Sequence, residues 1–318
     1  MTITDPYPQS KFAIDGKDIT ITGLQNSVVF TLQVAGATIV NETYNYDNDG
    51  TVVIRGIADV ISKALYGTLE TGVQGKACAT VDFIIDSVTK FTKNLYASRF
   101  MNPIDPNGER TILSVARHTQ CHYGSPFFLT AIAPLRIALY LGDVIRTKTY
   151  GNTEGQVITK DCDPEKLWPD QPFEGGYMVI GDNEGQPNQM TADILPALCA
   201  ECVPVRFLNR YDVMESVIAQ VITEKPTVND ETALMYGQRT RFSVKSSTEY
   251  TIKSGLLKYK DQFDTWQDLL TSRKAQILMH DQWIDIIINK SNYTRHRRDF
   301  YGSQVELSFQ TANPYLTL

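Results

Sequence analysis

The chain has 318 residues, 42% hydrophobic and 21% charged, enough to bury the core of two domains or of one large elaborated one. Its formal net charge of −6 excludes the basic footprint of a nucleic-acid-binding protein. Five cysteines, an odd number scattered along the sequence, make no disulfide framework and are expected to be reduced thiols.

The N-terminus, Met1-Thr-Ile-Thr-Asp-Pro6, carries acid and proline where a signal peptide carries base and then an apolar run, so the chain is expected to be made in a cytoplasm. In Val28 to Val34, Val28, Phe30, Leu32 and Val34 alternate with Val29, Thr31 and Gln33, which predicts a strand. Extended chain continues from Ala37 to Tyr46, Asp47-Asn-Asp-Gly50 predicts a hairpin turn, and Thr51 to Arg55 returns as a strand. Ile57, Val60, Ile61, Ala64 and Leu65 then trace one face of a short helix, which Gly67 is expected to close. Thr80 to Val88 predicts a strand, and Asp105-Pro-Asn-Gly108 a turn. Phe127 to Gly142 predicts one or two strands with Ile137, Leu139 and Leu141 inward; Pro134, Arg136 and Asp143 keep the stretch to Ile145 from spanning a bilayer.

Thr147 to Gly176 lacks periodicity and is rich in Gly, Pro, Asp and Thr, so it reads as an irregular connection or insertion. It would divide an N-terminal β-rich domain, 1–146, from a C-terminal one, 177–318. In the second half, Tyr177 to Ile180 and Val203 to Leu208 predict strands, and Arg241 to Lys245 with Thr248 to Lys253 a hairpin. Phe263, Trp266 and Leu270 mark a helix. Ala275 to Met279 and Trp283 to Asn289 flank a turn at His280-Asp-Gln282, a polar loop runs to Ser303, and Val305 to Gln310 closes the sheet. The fold class is therefore mainly β with a few short helices, built of antiparallel sheets in β-sandwich-type domains.

Chemical signals are sparse. Asn45, Asp47, Asp49 and Gly50 match the opening of a calcium loop, but Gly56 stands where the bidentate Glu is needed, so the hairpin turn is preferred. Cys199-Ala-Glu-Cys202 lacks the second pair that zinc requires and reads as two structural thiols. His118, Cys121 and His122 invite a metal or a cysteine nucleophile, yet nothing places a third group beside them. Arg295-His-Arg-Arg298 is the one dense basic run; with Tyr293 and Tyr301 it makes Tyr293, Arg295, Arg297, Arg298 and Tyr301 a candidate intersubunit contact. Phosphate loops, G-x-S-x-G elbows and H-E-x-x-H are absent, so neither catalytic residues, metal nor cofactor is expected, and the chain is expected not to be an enzyme.

Val203-Pro-Val-Arg-Phe-Leu-Asn-Arg-Tyr-Asp-Val-Met-Glu-Ser216 resembles an F-x-N-x-(Y/F)-x-x-x-E segment of tail proteins encoded by phages and prophages of gut bacteria. Trp266-Gln-Asp-Leu-Leu-Thr-Ser272 with the two strands after it resembles their C-terminal L-x-x-L-L-x-S pattern, although Trp266 replaces its first Leu. Asn45 to Leu65 is similar to their N-terminal region. The resemblance implies a structural virion protein of a tail, tail tip or baseplate, distal-tail-like, assembled in the host cytoplasm as a symmetric oligomer. Its partners would be copies of itself and other tail proteins, with no nucleic acid and no membrane insertion. One alternative is a carbohydrate-binding adhesin or receptor-binding module with Trp168 as its platform. A second is a hydrolase using Cys121 with His118 or His122.

Overall fold

The computed structural model describes residues 1–100, 111–151, 153, 155–171, 175–181, 189–196, 202–236, 238–255, 257, 259–292 and 304–312. The chain is mainly β, in antiparallel sheets with few short helices.

The first core lies between two sheets. β1 (Thr2–Ile3), β2 (Ile19–Thr22) and β5 (Val52–Ile54) form a small one; β3 (Val28–Val34), β4 (Ala37–Tyr44), β7 (Cys78–Ile85) and β8 (Val88–Tyr96) form another, in the order β4-β3-β7-β8. The alternation in β3 does what it predicts: Val28, Phe30, Leu32 and Val34 are buried. Helix α1 (Ile57–Ala64) buries Ile57 and Ile61 in the same core. At the Asp47 turn, Asp47 Oδ1 accepts the N–H groups of Asp49 and Thr51, and Gly50 takes a left-handed φ of 69°. It is a turn, as expected, but not a hairpin. β4 pairs with β3 and β5 with β2, because Val52 and Ile54 face the core from the other sheet. The single strand expected over 80–88 is instead the start of the β7–β8 hairpin, turning at Asp86 and Ser87.

The middle unit begins with the short β6 (Gly72–Val73). It continues through β9 (His118–His122), β10 (Phe128–Ile132), β11 (Leu135–Leu141), β12 (Val144–Tyr150), β13 (Val157–Asp161), helix α2 (Pro164–Leu167), β14 (Tyr177–Gly181) and β15 (Met190–Leu195). One sheet has the order β10-β13-β6 and the other β12-β11-β14-β15-β9, with β15 and β9 parallel. The stretch from Thr147 to Gly176 is thus not an irregular connection: it holds part of β12, all of β13 and α2. A boundary there would cut through one sheet, since β11 pairs with both β12 and β14. Short, polar-rich strands such as Val157-Ile-Thr-Lys-Asp161 carry too few alternations to show a period.

The last unit is a closed barrel rather than a sandwich: β16 (Cys202–Leu208), β17 (Met214–Met235), β18 (Gln238–Lys253), β21 (Glu306–Thr311), β20 (Gln282–Asn292) and β19 (Ala275–Met279), closed by β19 on β16. Helix α3 (Lys260–Leu270) buries Phe263, Trp266 and Leu269 in its core beside Phe207, Tyr250, Ile277 and Phe309. The hairpin expected from Arg241–Lys245 and Thr248–Lys253 does not form, because both belong to the single strand β18.

Candidate assembly arm and its buried joint

β17 and β18 are 22 and 16 residues long, and the barrel uses only their inner ends. β16 engages β17 over Met214–Gln220, and β21 engages β18 over Tyr250–Lys253. From Lys225↔Glu249 to Met235↔Gln238 the two strands pair only with each other among the described residues. At about 3.3 Å per residue this ribbon projects about 35 Å from the barrel. A register shift between Val221 and Thr223 marks its root, where a bulge bends and twists the strand. At its tip Tyr236 holds a left-handed φ of 52° and is fully exposed.

Among the described residues, such an arm leaves the backbone groups of both outer edges without a strand partner. By sequence its two strands differ in charge. Residues 225–235 of β17 with Glu224 carry Glu224, Asp230 and Glu231 against Lys225, whereas 238–249 of β18 carry Arg239, Arg241 and Lys245 against Glu249. One edge strand is net acidic and the other net basic.

The arm is anchored by the turn between β16 and β17. Asn209 Oδ1 accepts the Tyr211 N–H, and Asn209 Nδ2 donates to Leu113 O at 2.6 Å and to Glu215 Oε2 at 2.8 Å. Tyr211 leaves the barrel altogether and packs in the first core, its ring 5.2 Å from Phe12. Gly67 N–H donates to Asp212 O at 2.8 Å, and a Cβ on Gly67 would stand 2.7 Å from that oxygen. This close approach, not a helix stop, is what Gly67 provides; α1 ends three residues earlier, at Ala64. Arg210 holds Asp268 of α3 through two nitrogens, and buried Asp212 pairs with Arg99 and Arg273. Thr130 Oγ1 donates to Met214 O at 2.8 Å and Phe128 N–H to Ser216 Oγ at 2.7 Å, tying β10 to β17. Phe207, Asn209, Tyr211 and Glu215, the four fixed positions of the tail-protein segment quoted above, are all buried here. The loop joins the first core to the barrel, and the start of β17 bonds to β10 of the middle unit.

The other candidates fare differently. Tyr293, Arg295, Arg297, Arg298 and Tyr301 lie outside the described residues, as does the turn at 105–108. Trp168 is only 5% exposed and sits in the middle core with Lys148 Nζ 5.7 Å from its ring centroid, so it offers no platform for a sugar. Cys121 is buried on the inner face of β9, and burial pushes its thiol up, away from the thiolate a nucleophile needs. His118 instead stacks on Tyr259 at 4.9 Å, and His122 Nδ1 lies 2.7 Å from Pro196 O. The two histidines, four residues apart on a strand, stand about 13 Å from each other, and among the described residues no cluster of His, Cys, Asp and Glu could hold a metal ion. Cys202 is disulfide-bonded, which corrects the reduced state expected of it, while Cys199 lies outside the described residues.

The last unit is thus a closed barrel that bears a long two-stranded ribbon and is fastened near the ribbon's root to the rest of the chain. No protein-family model matches this sequence, and no curated protein matches it. Among solved structures it is similar to a chain in the C6-symmetric tail of an empty gene transfer agent particle, with 12% identity over 35% of this chain and 91% of that one and a TM-score of 0.23. It is also similar to a chain in the virion of a native gene transfer agent, with 12% identity over 37% and 95% and a TM-score of 0.24. A bacterial ice-binding adhesin gives 10% identity over 75% and 84% and a TM-score of 0.14. TM-scores of this size do not establish a shared fold, so function has to be read from the chain's own geometry.

Proposed function

We propose that the protein is a structural component of a bacteriophage tail, at the tail tip or baseplate, that acts by protein–protein assembly and has no catalytic role. The observation that carries this is the arm. A two-stranded ribbon is marginally stable in water by itself, and a third strand on either edge relieves it. Pairing of two identical edges would bring like charge against like. Pairing the acidic β17 edge of one copy with the basic β18 edge of the next is complementary and head-to-tail, and such a contact repeated about an axis closes a ring. Neighbouring copies and other tail proteins are then the partners, the virion is the location, and assembly takes place in the host cytoplasm.

Light scattering across a concentration series tests the reading. The full chain is expected to grow toward a defined oligomer, and a variant with residues 226–248 replaced by a two-residue Asn-Gly turn is expected to stay monomeric with its barrel intact by circular dichroism. A full chain that stays monomeric at high concentration, or a shortened one that assembles equally well, overturns it.

A further inference from the structure

Glu215 is the second residue of β17, the strand that becomes the arm, yet it is only 4% exposed. Its carboxylate accepts from the Ser114 hydroxyl and, at 2.8 Å, from Asn209 Nδ2, and the same amide donates to Leu113 O. Leu113, whose side chain lies in the first core, and Ser114 lead into β9 of the middle unit, so this cluster is one of the ties between that unit and the barrel, beside those from Thr130 and Phe128. The other charges that bear on Glu215 are Arg210 and Asp268, which hold one another, with Asp212, Arg99 and Arg273 in the same joint. A lone buried carboxylate hydrogen-bonded across an interface between two cores is a costly thing to keep ionised. The Ser114 hydroxyl can turn to accept when the carboxyl carries a proton, so both protonation states are accommodated.

We propose that this cluster is a proton-operated latch between the middle unit and the arm-bearing strand, closed while Glu215 is protonated and weakened once it is ionised. It concerns contacts within one chain and does not depend on the assembly reading. Desolvation dominates at Glu215 and raises its carboxyl to about 7 against hydrogen bonds from Ser114 and Asn209 that lower it; Asp268 raises it further and Arg210 lowers it. Opening the joint returns the group to water, where it ionises near its ordinary 4.5. Opening therefore releases a proton between about pH 4.5 and about pH 7, and the latch weakens about tenfold per pH unit across that window, then levels off. From pH 5 to pH 8 the change is about seventyfold.

Hydrogen exchange of the amides at 113–116 and 213–216 in the full chain, corrected for the intrinsic pH dependence of exchange, reads this directly. Wild-type protection is expected to fall about seventyfold from pH 5 to pH 8, and Glu215→Gln, which cannot ionise, to show a flat profile. Flat wild-type protection, or a Glu215→Gln profile that falls as the wild type does, overturns the latch. Should that variant fail to fold, Ser114→Ala removes a donor to the carboxylate and is expected to move the upper end of the window to higher pH. A Ser114→Ala profile that superimposes on the wild type overturns the proposal as well.

Discussion

At the scale of single residues, the joint shows why ordinary residue types can carry large consequences. Arg210 and Asp268 are almost buried and joined through two guanidinium nitrogens, so the pair fixes the β16–β17 turn against α3. Gly67 acts through its missing side chain. Its backbone meets Asp212 O so closely that Gly67→Ala must push the two cores apart or distort the turn. Overpacking of this kind is expected to destabilise the chain by about 1–3 kcal/mol, seen as a lower urea midpoint with unchanged slope. An unaltered midpoint would mean that the joint has slack. Little of this was legible in sequence. Gly67 reads as punctuation after a helix, and nothing in the sequence sets Asp212, Glu215 and Asp268 apart from the other acidic residues, because sequence shows a carboxylate's type but not its burial. Only the likeness of 203–216 to tail proteins marked the right stretch, and it assigned no role to Asn209, Tyr211 or Glu215.

Elements were legible where one face meets a core. β3, α1, β11, β16, α3 and β19 all show the period of their structure because half of each is buried. The arm shows no such period. Glu224, Lys225, Pro226, Thr232 and Arg239 are all exposed, so nothing forces apolar residues to recur, and a long ribbon passes for two short strands and a loop. Under the proposed assembly, the same polarity makes contacts along the arm's edges depend on charge. If complementary edges pair, raising salt from about 0.1 M to about 1 M shortens the screening length from about 10 Å to about 3 Å and weakens assembly. Arg239→Glu is expected to shift the concentration midpoint of assembly upward a few-fold, in line with about 0.5–1 kcal/mol for an exposed pair. Both effects are read by light scattering. Assembly that strengthens with salt would instead point to an apolar interface and leave the charge asymmetry of the arm without a role.

For the whole molecule, the question is whether its three larger hydrophobic cores, with a small fourth cluster of Leu69, Phe128, Leu208 and Met214, unfold together. Each has its own sheets, and separate cores on a chain of this length ordinarily unfold separately. Here the β16–β17 turn and the start of β17 touch all three units: Phe207 lies in the barrel core, Tyr211 and Val213 in the first, Asn209 bonds to Leu113 of that same first core, and Met214 and Ser216 bond to Thr130 and Phe128 of β10 in the middle unit. The shared turn ties the root of the arm to the rest of the chain through a few specific contacts. Tyr211 is the test, since its side chain belongs to the first core while its backbone belongs to the barrel hairpin. Calorimetry of the wild type is expected to show one dominant transition. Tyr211→Ala removes about 3–5 kcal/mol of packing from the first core and its tie to the barrel together, so the first core is expected to melt earlier, as a separate transition, while the barrel keeps its midpoint. If both shift down together, the cores are coupled elsewhere and the turn is one tie among several.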